Sequence, residues 1–353
     1  MRKKLFVAVI AVIVSALAFP AAGRDLKILY WNIQNGMWSD QGNNYDNFVD
    51  FVKSEDPDIC VWCEAESRYF TDSGDRIENC EDAYLPWNWD ILAKRYGHNY
   101  VLVSGKRDTF PQVITSKYPI RIVKRVNGNG DDVIVVHGAG VAQVEVGNKT
   151  LNIVTIHSWP YKYTYMADDK KASTERKEGA MFRAKEMEYI CQQTIESVPE
   201  AASQYWMMLG DFNARSRVDN HVYKMAEDDK DFLVHDYIRN NTPYIDIIEK
   251  LYPNDFQPTT LSGKRIDLVY MTEPLFKKVR SAEIIRSGFA KSVRDPRKPA
   301  GRTGRADVRK GRGDELNAKR PPLSWSFLLL WERRSPDREG FRFTVSHAGH
   351  PSG

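Results

Sequence analysis

The sequence predicts a mixed-sheet α/β domain with helices covering its sheets, and three observations predict it. Short apolar runs of strand length recur between residues 27 and 270. Two amphipathic stretches with apolar residues at helical spacing lie among them, giving strand–helix–strand units. The tripeptide Gly147-Asn148-Lys149 separates two of the runs directly, which is a hairpin signal. Hairpins mixed with crossovers argue against a purely parallel sheet.

Strands are expected in chain order at Lys27–Trp31, Asp58–Cys63, Tyr100–Val103, Gln112–Thr115, Val133–Val136, Ala139–Val146, Leu151–Ile156, Tyr205–Leu209 and Ile266–Tyr270. A helix is expected over Tyr45–Ser54, because Phe48, Val49, Phe51 and Val52 fall on one face. A longer one is expected over Thr174–Glu196, with Met181, Ala184, Met187, Ile190, Cys191 and Ile195 forming the buried stripe. Neither an internal repeat nor a linker is visible before about residue 290.

The chain has 353 residues with 42% hydrophobic and 28% charged, a globular balance that excludes a disordered or collagen-like class. Its net charge of +4 hides an uneven distribution. Residues 291–353 carry 15 Lys+Arg against 7 Asp+Glu, whereas residues 5–290 carry 33 against 40. The body is therefore acidic, which argues weakly against a broad duplex-binding face.

Arg2, Lys3 and Lys4 precede an apolar run from Leu5 to Phe19 that only Ser15 interrupts. Fifteen residues fall short of the roughly 20 that span a bilayer, so residues 1–22 are expected to be a cleaved signal peptide and the mature chain exported, periplasmic or extracellular, with no transmembrane segment. Export permits disulfides among Cys60, Cys63, Cys80 and Cys191, although Cys60 and Cys63 should face opposite sides of one strand, and buried unpaired thiols are the equal alternative. From about Lys291 the chain turns Arg-, Gly- and Pro-rich without sustained periodicity, which fits either a basic tail for nucleic acid or sequence that no longer encodes its original domain end. Residues 300–353 are thus expected to be a basic, disordered or aberrant segment outside the domain at 24–299, with a lone apolar patch at Trp325–Trp331.

Several of the apolar runs lead straight into a residue able to bind metal or phosphate. Tyr30-Trp31 meets Asn32, Trp62-Cys63 meets Glu64, Thr155-Ile156 meets His157, and Met208-Leu209 meets Gly210-Asp211-Phe212-Asn213. Loops at strand ends are held by a rigid scaffold and are where α/β sheets bind ligands. This set of oxygen donors suits a hard divalent cation, Mg²⁺ or Mn²⁺, and lacks the thiolate or imidazole clusters that zinc prefers.

Six segments in order resemble the endonuclease/exonuclease/phosphatase superfamily, which includes pancreatic-type DNase, AP endonucleases, neutral sphingomyelinases and inositol-polyphosphate 5-phosphatases. They are Leu29–Gly36, Pro57–Glu64, Thr115–Ile120, Val154–Ser158, Gly210–Ser216 and Arg265–Tyr270. The resemblance, to an exported bacterial-type member, implies a DNase I-like four-layer α/β sandwich, two packed mixed β-sheets flanked by helices. It implies a metal carboxylate at Glu64, with Asn32 close by and holding the metal or the phosphate, and an imidazole at His157 that hydrogen-bonds the scissile phosphate. Asp211 and Asn213 would position and deprotonate the attacking water, and Asp267 would orient a second histidine. A plainer role for Asp267 is a salt bridge with Arg265, while Asp58 and Glu66 read as solvated charges.

Two departures from the family pattern stand out. Cys63 occupies the position where a Gln usually precedes the metal Glu. The closing Ser-Asp-His-x-Pro segment is also missing: Val293–Pro299 looks like its approach, and the nearest substitute, Ser346–Pro351, lacks the aspartate. A shifted reading frame or replaced terminus after about residue 299 would account for this, and re-reading the encoding DNA in the other two frames tests it.

The expected activity is metal-dependent hydrolysis of a phosphate ester by a monomer, on nucleic acid or on a small or lipid phosphoester. Trp159, Tyr161, Tyr163 and Tyr165 could stack on such a substrate or cap the core. The alternative is a catalytically impaired exported scaffold of the same fold.

Overall fold

The computed structural model describes residues 26–66, 88–106, 110–130, 132–260, 262–285 and 326–331. Two six-stranded sheets form the centre. The strands are β1 (Leu26–Asn32), β2 (Ile59–Cys63), β3 (Tyr100–Val103), β4 (Val113–Ser116), β5 (Ile120–Gly128), β6 (Ile134–Val146), β7 (Lys149–His157), β8 (Trp206–Asp211), β9 (Tyr244–Asp246), β10 (Asp267–Thr272), β11 (Ser281–Ile285) and β12 (Ser326–Trp331). The first sheet has the order β11-β12-β1-β2-β4-β3 and the second β5-β6-β7-β8-β10-β9. In each, one parallel pair, β1 with β2 and β7 with β8, sits among antiparallel neighbours. Both sheets are mixed.

Strand alternation creates the layers. Ile28 and Tyr30 of β1 and Val61 and Cys63 of β2 face Ile153, Met207, Leu209 and Val269 of the second sheet, making the core between the sheets. The intervening residues Leu29, Trp31, Cys60 and Trp62 point outward. They meet Phe48, Val49, Phe51 and Val52 of α1 (Asp46–Glu55), the predicted face, and Trp89, Leu92 and Ala93 of α2 (Trp89–Arg95). On the far side, Val154, Ile156 and Met208 pack on two further helices, one contributing Met187, Ile190 and Cys191 and the other Val234 and Ile238. Three apolar layers between two sheets and their helices are the four-layer sandwich. Cys60, Cys63 and Cys191 are buried free thiols, with the first two on opposite sides of β2 as the strand period requires.

The Gly147-Asn148 turn closes the β6–β7 hairpin at the Val146–Lys149 pair, with Gly147 in the left-handed region. Several expectations need correction. Val133–Val136 and Ala139–Val146 are one strand, β6, which passes through Gly138. The helix expected over 174–196 is two, α3 (Lys170–Glu175) and α4 (Glu178–Gln193), broken where Lys177 adopts φ 57°. Its buried stripe runs through Arg183, Glu186, Met187 and Ile190, while Met181 is exposed; the two charged residues turn inward because backbone groups need them, as described below. Asp58 and Glu66 are buried. Asp58 accepts the Lys27 N–H at 2.9 Å and pairs with Lys117, clamping the starts of β1 and β2.

Strands β5, β9 and β11 and the helices α2, α5 (Leu233–Asn241) and α6 (Ile247–Leu251) escaped the pattern reading. β5 carries Arg121, Lys124 and Arg125 on an exposed sheet edge, where charge is normal but erases the apolar signature. The expectation of a segment wholly outside the domain beyond residue 299 also requires revision. The apolar patch forms β12, antiparallel to both β1 and β11. A gap between those strands would leave two rows of backbone donors and acceptors unpaired, and β12 pairs both. Residues 1–22, Cys80, Val293–Pro299 and Ser346–Pro351 lie outside the described residues. Among the described residues no helix is long and apolar enough to cross a membrane.

Gly210 shows how tightly the site is framed. It pairs with Ile156 across β7–β8, and a Cβ there would collide with the Ile156 carbonyl. Gly210→Ala should destabilise the protein by about 1–3 kcal/mol through overpacking. A lowered melting temperature checks this; an unchanged one would mean that the two strands can part.

Candidate functional site

Strand register assembles the site. In the second sheet His157 ends β7 beside Asp211 at the end of β8, and Asp211 pairs laterally with Asp267. Asp267 stands at the start of its strand, not the end, because β10 runs antiparallel to β8. In the first sheet Asn32 pairs with Cys63, and Glu64 follows at once. The two sheets bring these ends to a common edge.

The closest convergence is at Asn32. Its Nδ2 donates to Glu64 Oε1 at 3.1 Å and to Asp211 Oδ2 at 3.2 Å, joining carboxylates from both sheets. Its Oδ1 accepts the Gln34 N–H at 3.0 Å. Glu64 sits at φ 53°, a left-handed conformation that a non-glycine residue adopts at a cost. The turn holds it there: the Asn35 N–H donates to Oε2 at 3.1 Å, and the Gly36 N–H donates to the Glu64 carbonyl. Asn213 is left-handed too, at φ 49°. Its N–H donates to Asp211 Oδ1 at 2.9 Å and its Nδ2 to the Ser158 carbonyl at 3.1 Å, tying the ends of β7 and β8 together.

His157 Nε2 is 4.0 Å from Glu64 Oε1, and its Nδ1 lies 3.3 Å from the Phe110 carbonyl. A carbonyl can only accept, so Nδ1 carries the hydrogen and Nε2 of the neutral ring presents its lone pair to the site. Burial lowers the His157 pKa to about 4, so the ring is uncharged at neutral pH. Asp267 accepts the Tyr30 hydroxyl at 2.9 Å across the sheet interface. It does not pair with Arg265, which binds Asp219 and Asp246 at 2.8 Å each, so the plainer salt-bridge role is excluded by geometry.

These carboxylates share an environment hostile to their charge. Burial, and then the nearby Glu64, push Asp211 up to about 7 against the hydrogen bonds from Asn213 and Asn32. Burial raises Glu64 despite the same kind of support. Asp267 is held well above the usual carboxylate range by burial and by Asp211. Three buried carboxylates with only a neutral amide between two of them are an arrangement that a cation relieves.

The donors fit a hard ion. Asp267 Oδ2, Gln34 Oε1 and Asn35 Oδ1 are buried without hydrogen-bond partners among the described residues. Among the described residues no three His, Cys, Asp or Glu side chains form a closed metal cluster. Mg²⁺ needs none, since it keeps several waters and is held by one or two carboxylates plus the substrate's phosphate. Glu64 could hold it, and Asn32 could join only through Oδ1, since its Nδ2 donates to the carboxylates.

Sequence reasoning missed Tyr30, His137 and the support beneath the His157 loop. A tyrosine on the inward face of a strand needs a partner for its hydroxyl, and that signal was available for Tyr30. His137 stacks on His157 at 4.2 Å with rings 15° apart, a contact that only β6–β7 pairing creates. Glu186 accepts the N–H groups of Val136 and Trp159 at 2.9 and 3.1 Å, and burial raises its pKa to about 7.

Comparison with known proteins bears on this architecture. No curated protein sequence matches the chain. Among solved structures, an AP endonuclease from Archaeoglobus fulgidus aligns with a TM-score of 0.53 at 13% identity, covering 86% of this chain and 98% of that one. The AP endonuclease LMAP from Leishmania major aligns with a TM-score of 0.51 at 12% identity, covering 89% of each chain. Identities this low establish the fold alone. The model of the Endonuclease/Exonuclease/phosphatase family matches residues 29–292, which spans every strand end described above. With three-quarters of its length under that match, the chain belongs to the Endonuclease/Exonuclease/phosphatase family.

Proposed function

We propose that this chain is an exported, Mg²⁺-dependent phosphoesterase in which Glu64 and Asn32 hold the ion and Asp211, Asn213, His157 and Asp267 handle substrate and water. Family membership supports hydrolysis of phosphate esters. The observation carrying the finer reading is the Asn32 amide bridging Glu64 and Asp211, because it places carboxylates of both sheets at one point. A divalent ion bound there would neutralise the phosphate and the charge gathering on the leaving oxygen. Asp211, ionised, takes the proton of the attacking water, and the Asn213 N–H on its other oxygen aims it. His157 offers Nε2 towards the phosphate and donates only when protonated, a state that an arriving anion favours. Asp267, braced by Tyr30, adds to the field that favours a cation.

One observation favours the impaired-scaffold reading: among the described residues Asp267 Oδ2 has no hydrogen-bond partner, where the resemblance implies an imidazole. Hydrolysis of plasmid DNA, bis-p-nitrophenyl phosphate and p-nitrophenyl phosphate, with and without Mg²⁺, separates the two. We expect turnover of the diesters that chelation abolishes. Absence of turnover on all three, with Mg²⁺ or Mn²⁺ supplied, would leave the scaffold.

A further inference from the structure

The loop that leaves His157 carries four aromatic rings in seven residues, and no step above uses them. Trp159 contacts Tyr161 at a centroid distance of 4.9 Å, and Tyr161 stacks on Tyr163 at 5.0 Å with rings only 16° apart. Tyr165 stands edge-on to Trp159 at 5.2 Å. Trp159 is almost buried and acts as the base of the group, whereas Tyr161 is 37% exposed. The cluster does not merely cap the core, because its outer rings face solvent.

The loop is fastened from beneath. Arg183 of α4 donates to the carbonyls of Trp159 and Tyr161 at 3.2 and 2.9 Å, and Glu186 accepts the Trp159 N–H. The Gly179 N–H donates to the Lys162 carbonyl at 3.0 Å, and a Cβ at Gly179 would collide with the Tyr161 carbonyl. Trp159 Nε1 donates to the Tyr163 carbonyl at 2.6 Å, and the Thr164 N–H to Ser173 Oγ at 2.9 Å. Buried Arg183 and Glu186 on α4 thus have a common purpose. A surface prepared in this way loses little entropy on binding.

Cations accompany the rings. Lys170 Nζ lies 5.1 Å above the Tyr163 ring. Lys264 is half-buried, and its pKa is lowered by burial first and then by Arg215, against Asp231, with smaller contributions from Lys162 and Arg183. Arg183 and Arg215 share one carboxylate, Asp231. Of the other acids nearby, Asp229 is paired with Lys177 and Glu178 with Arg176, while Asp168 and Asp169 offset Lys170 and Lys171. Each cation rides on a segment leaving the candidate site: Lys162 five residues after His157, Arg215 two after Asn213 and Lys264 three before Asp267. Tyr161 is four residues from His157, so at most about 14 Å of chain separates them.

We infer that Tyr161 and Tyr163, flanked by Lys162, Arg215 and Lys264, form a stacking platform for an unpaired base of single-stranded nucleic acid next to the scissile phosphate. This inference rests on the phosphoesterase reading and gives its substrate class. Aromatic rings interleaved with cations along a backbone path are how single strands are bound without sequence readout. The acidic body elsewhere suits a short local grip on one strand better than a broad duplex footprint.

The test is fluorescence anisotropy on the full chain in EDTA, with a labelled ten-nucleotide oligothymidylate and an abasic strand of the same length. Wild type should bind the base-bearing strand at least about five-fold more tightly, the lower end of the range for stacking one base. The double substitution Tyr161→Ala/Tyr163→Ala should bring that ratio near one, and Tyr161→Phe/Tyr163→Phe should keep it. Lys264→Met should weaken both strands alike and reduce the salt slope by about one. Equal affinity for the two strands, loss of the preference in the Phe variant, or tighter binding of duplex or of phospholipid vesicles would each overturn the inference. Binding in EDTA needs no turnover, so an inactive enzyme does not affect this result. Conversely, Mg²⁺-dependent hydrolysis with no base preference would remove the platform and leave the proposed function standing.

Discussion

Glu64→Ala should lower Mg²⁺-dependent hydrolysis of bis-p-nitrophenyl phosphate at least about 1,000-fold, equivalent to roughly 4 kcal/mol of transition-state stabilisation. The size of the effect follows from geometry. Glu64 is presented at φ 53° by two hydrogen bonds from the Asn35-Gly36 turn, and its other oxygen is tied to Asn32. The neighbouring carboxylates Asp211 and Asp267 stand on the other sheet. Glu64→Gln, which keeps the shape and removes the charge, should be nearly as inactive. Both variants should melt no lower than wild type in EDTA, since removing Glu64 removes a buried charge and one neighbour that raises Asp211. An active Glu64→Ala enzyme would contradict the metal assignment. An inactive variant that also melts far lower would show that Glu64 supports the fold instead.

Asp211→Asn is expected to divide activity from stability. Activity should fall by about 100- to 10,000-fold, the range for losing a general base. Metal-free stability should rise. A carboxyl whose folded pKa exceeds its unfolded value binds its proton more tightly in the folded state. Asp211 rises from 3.8 to about 7, so its contribution is fully present below pH 3.8 and is lost as pH climbs through about 7. The metal-free wild type should therefore melt lower at pH 8 than at pH 5. Asn, which cannot ionise, should recover on the order of a few kcal/mol at pH 8 and nothing at pH 3. Glu64 and Asp267 are raised in the same direction, so the slope should flatten in the variant without vanishing. Mg²⁺ should stabilise wild type most at the alkaline end, where the carboxylates are charged. Thermal melts across pH with EDTA or Mg²⁺ read all of this. A wild type whose metal-free melting temperature is flat from pH 5 to pH 8 would show that neither burial nor repulsion raises these carboxylates.

Much of the fold was legible because the principal strands are buried on both faces and so read as unbroken apolar runs. Leu29-Tyr30-Trp31 and Met207-Met208-Leu209 are examples, and the polar residue that ends each run marked the edge at which ligands bind. What escaped was structure whose signal lies elsewhere in the chain. β5 looks like surface because it is an edge, and β12 looks isolated because its partners are about 300 and 40 residues away. Arg183 and Glu186 broke the helix's apolar stripe because they serve the backbone of a distant loop.

By itself the chain determined which chemistry is available: the residue types at Asn32, Glu64, His157, Asp211, Asn213 and Asp267, and the apolar runs that these residues adjoin. Those follow from local rules of period and side-chain chemistry. Only the tertiary structure decided that Asn32 bridges carboxylates of two sheets, that Asp267 meets Tyr30 rather than Arg265, and that the rings after His157 stand on Arg183. Such contacts join residues as far as 237 positions apart, and their geometry is set by sheet register and layer packing, which no local pattern encodes.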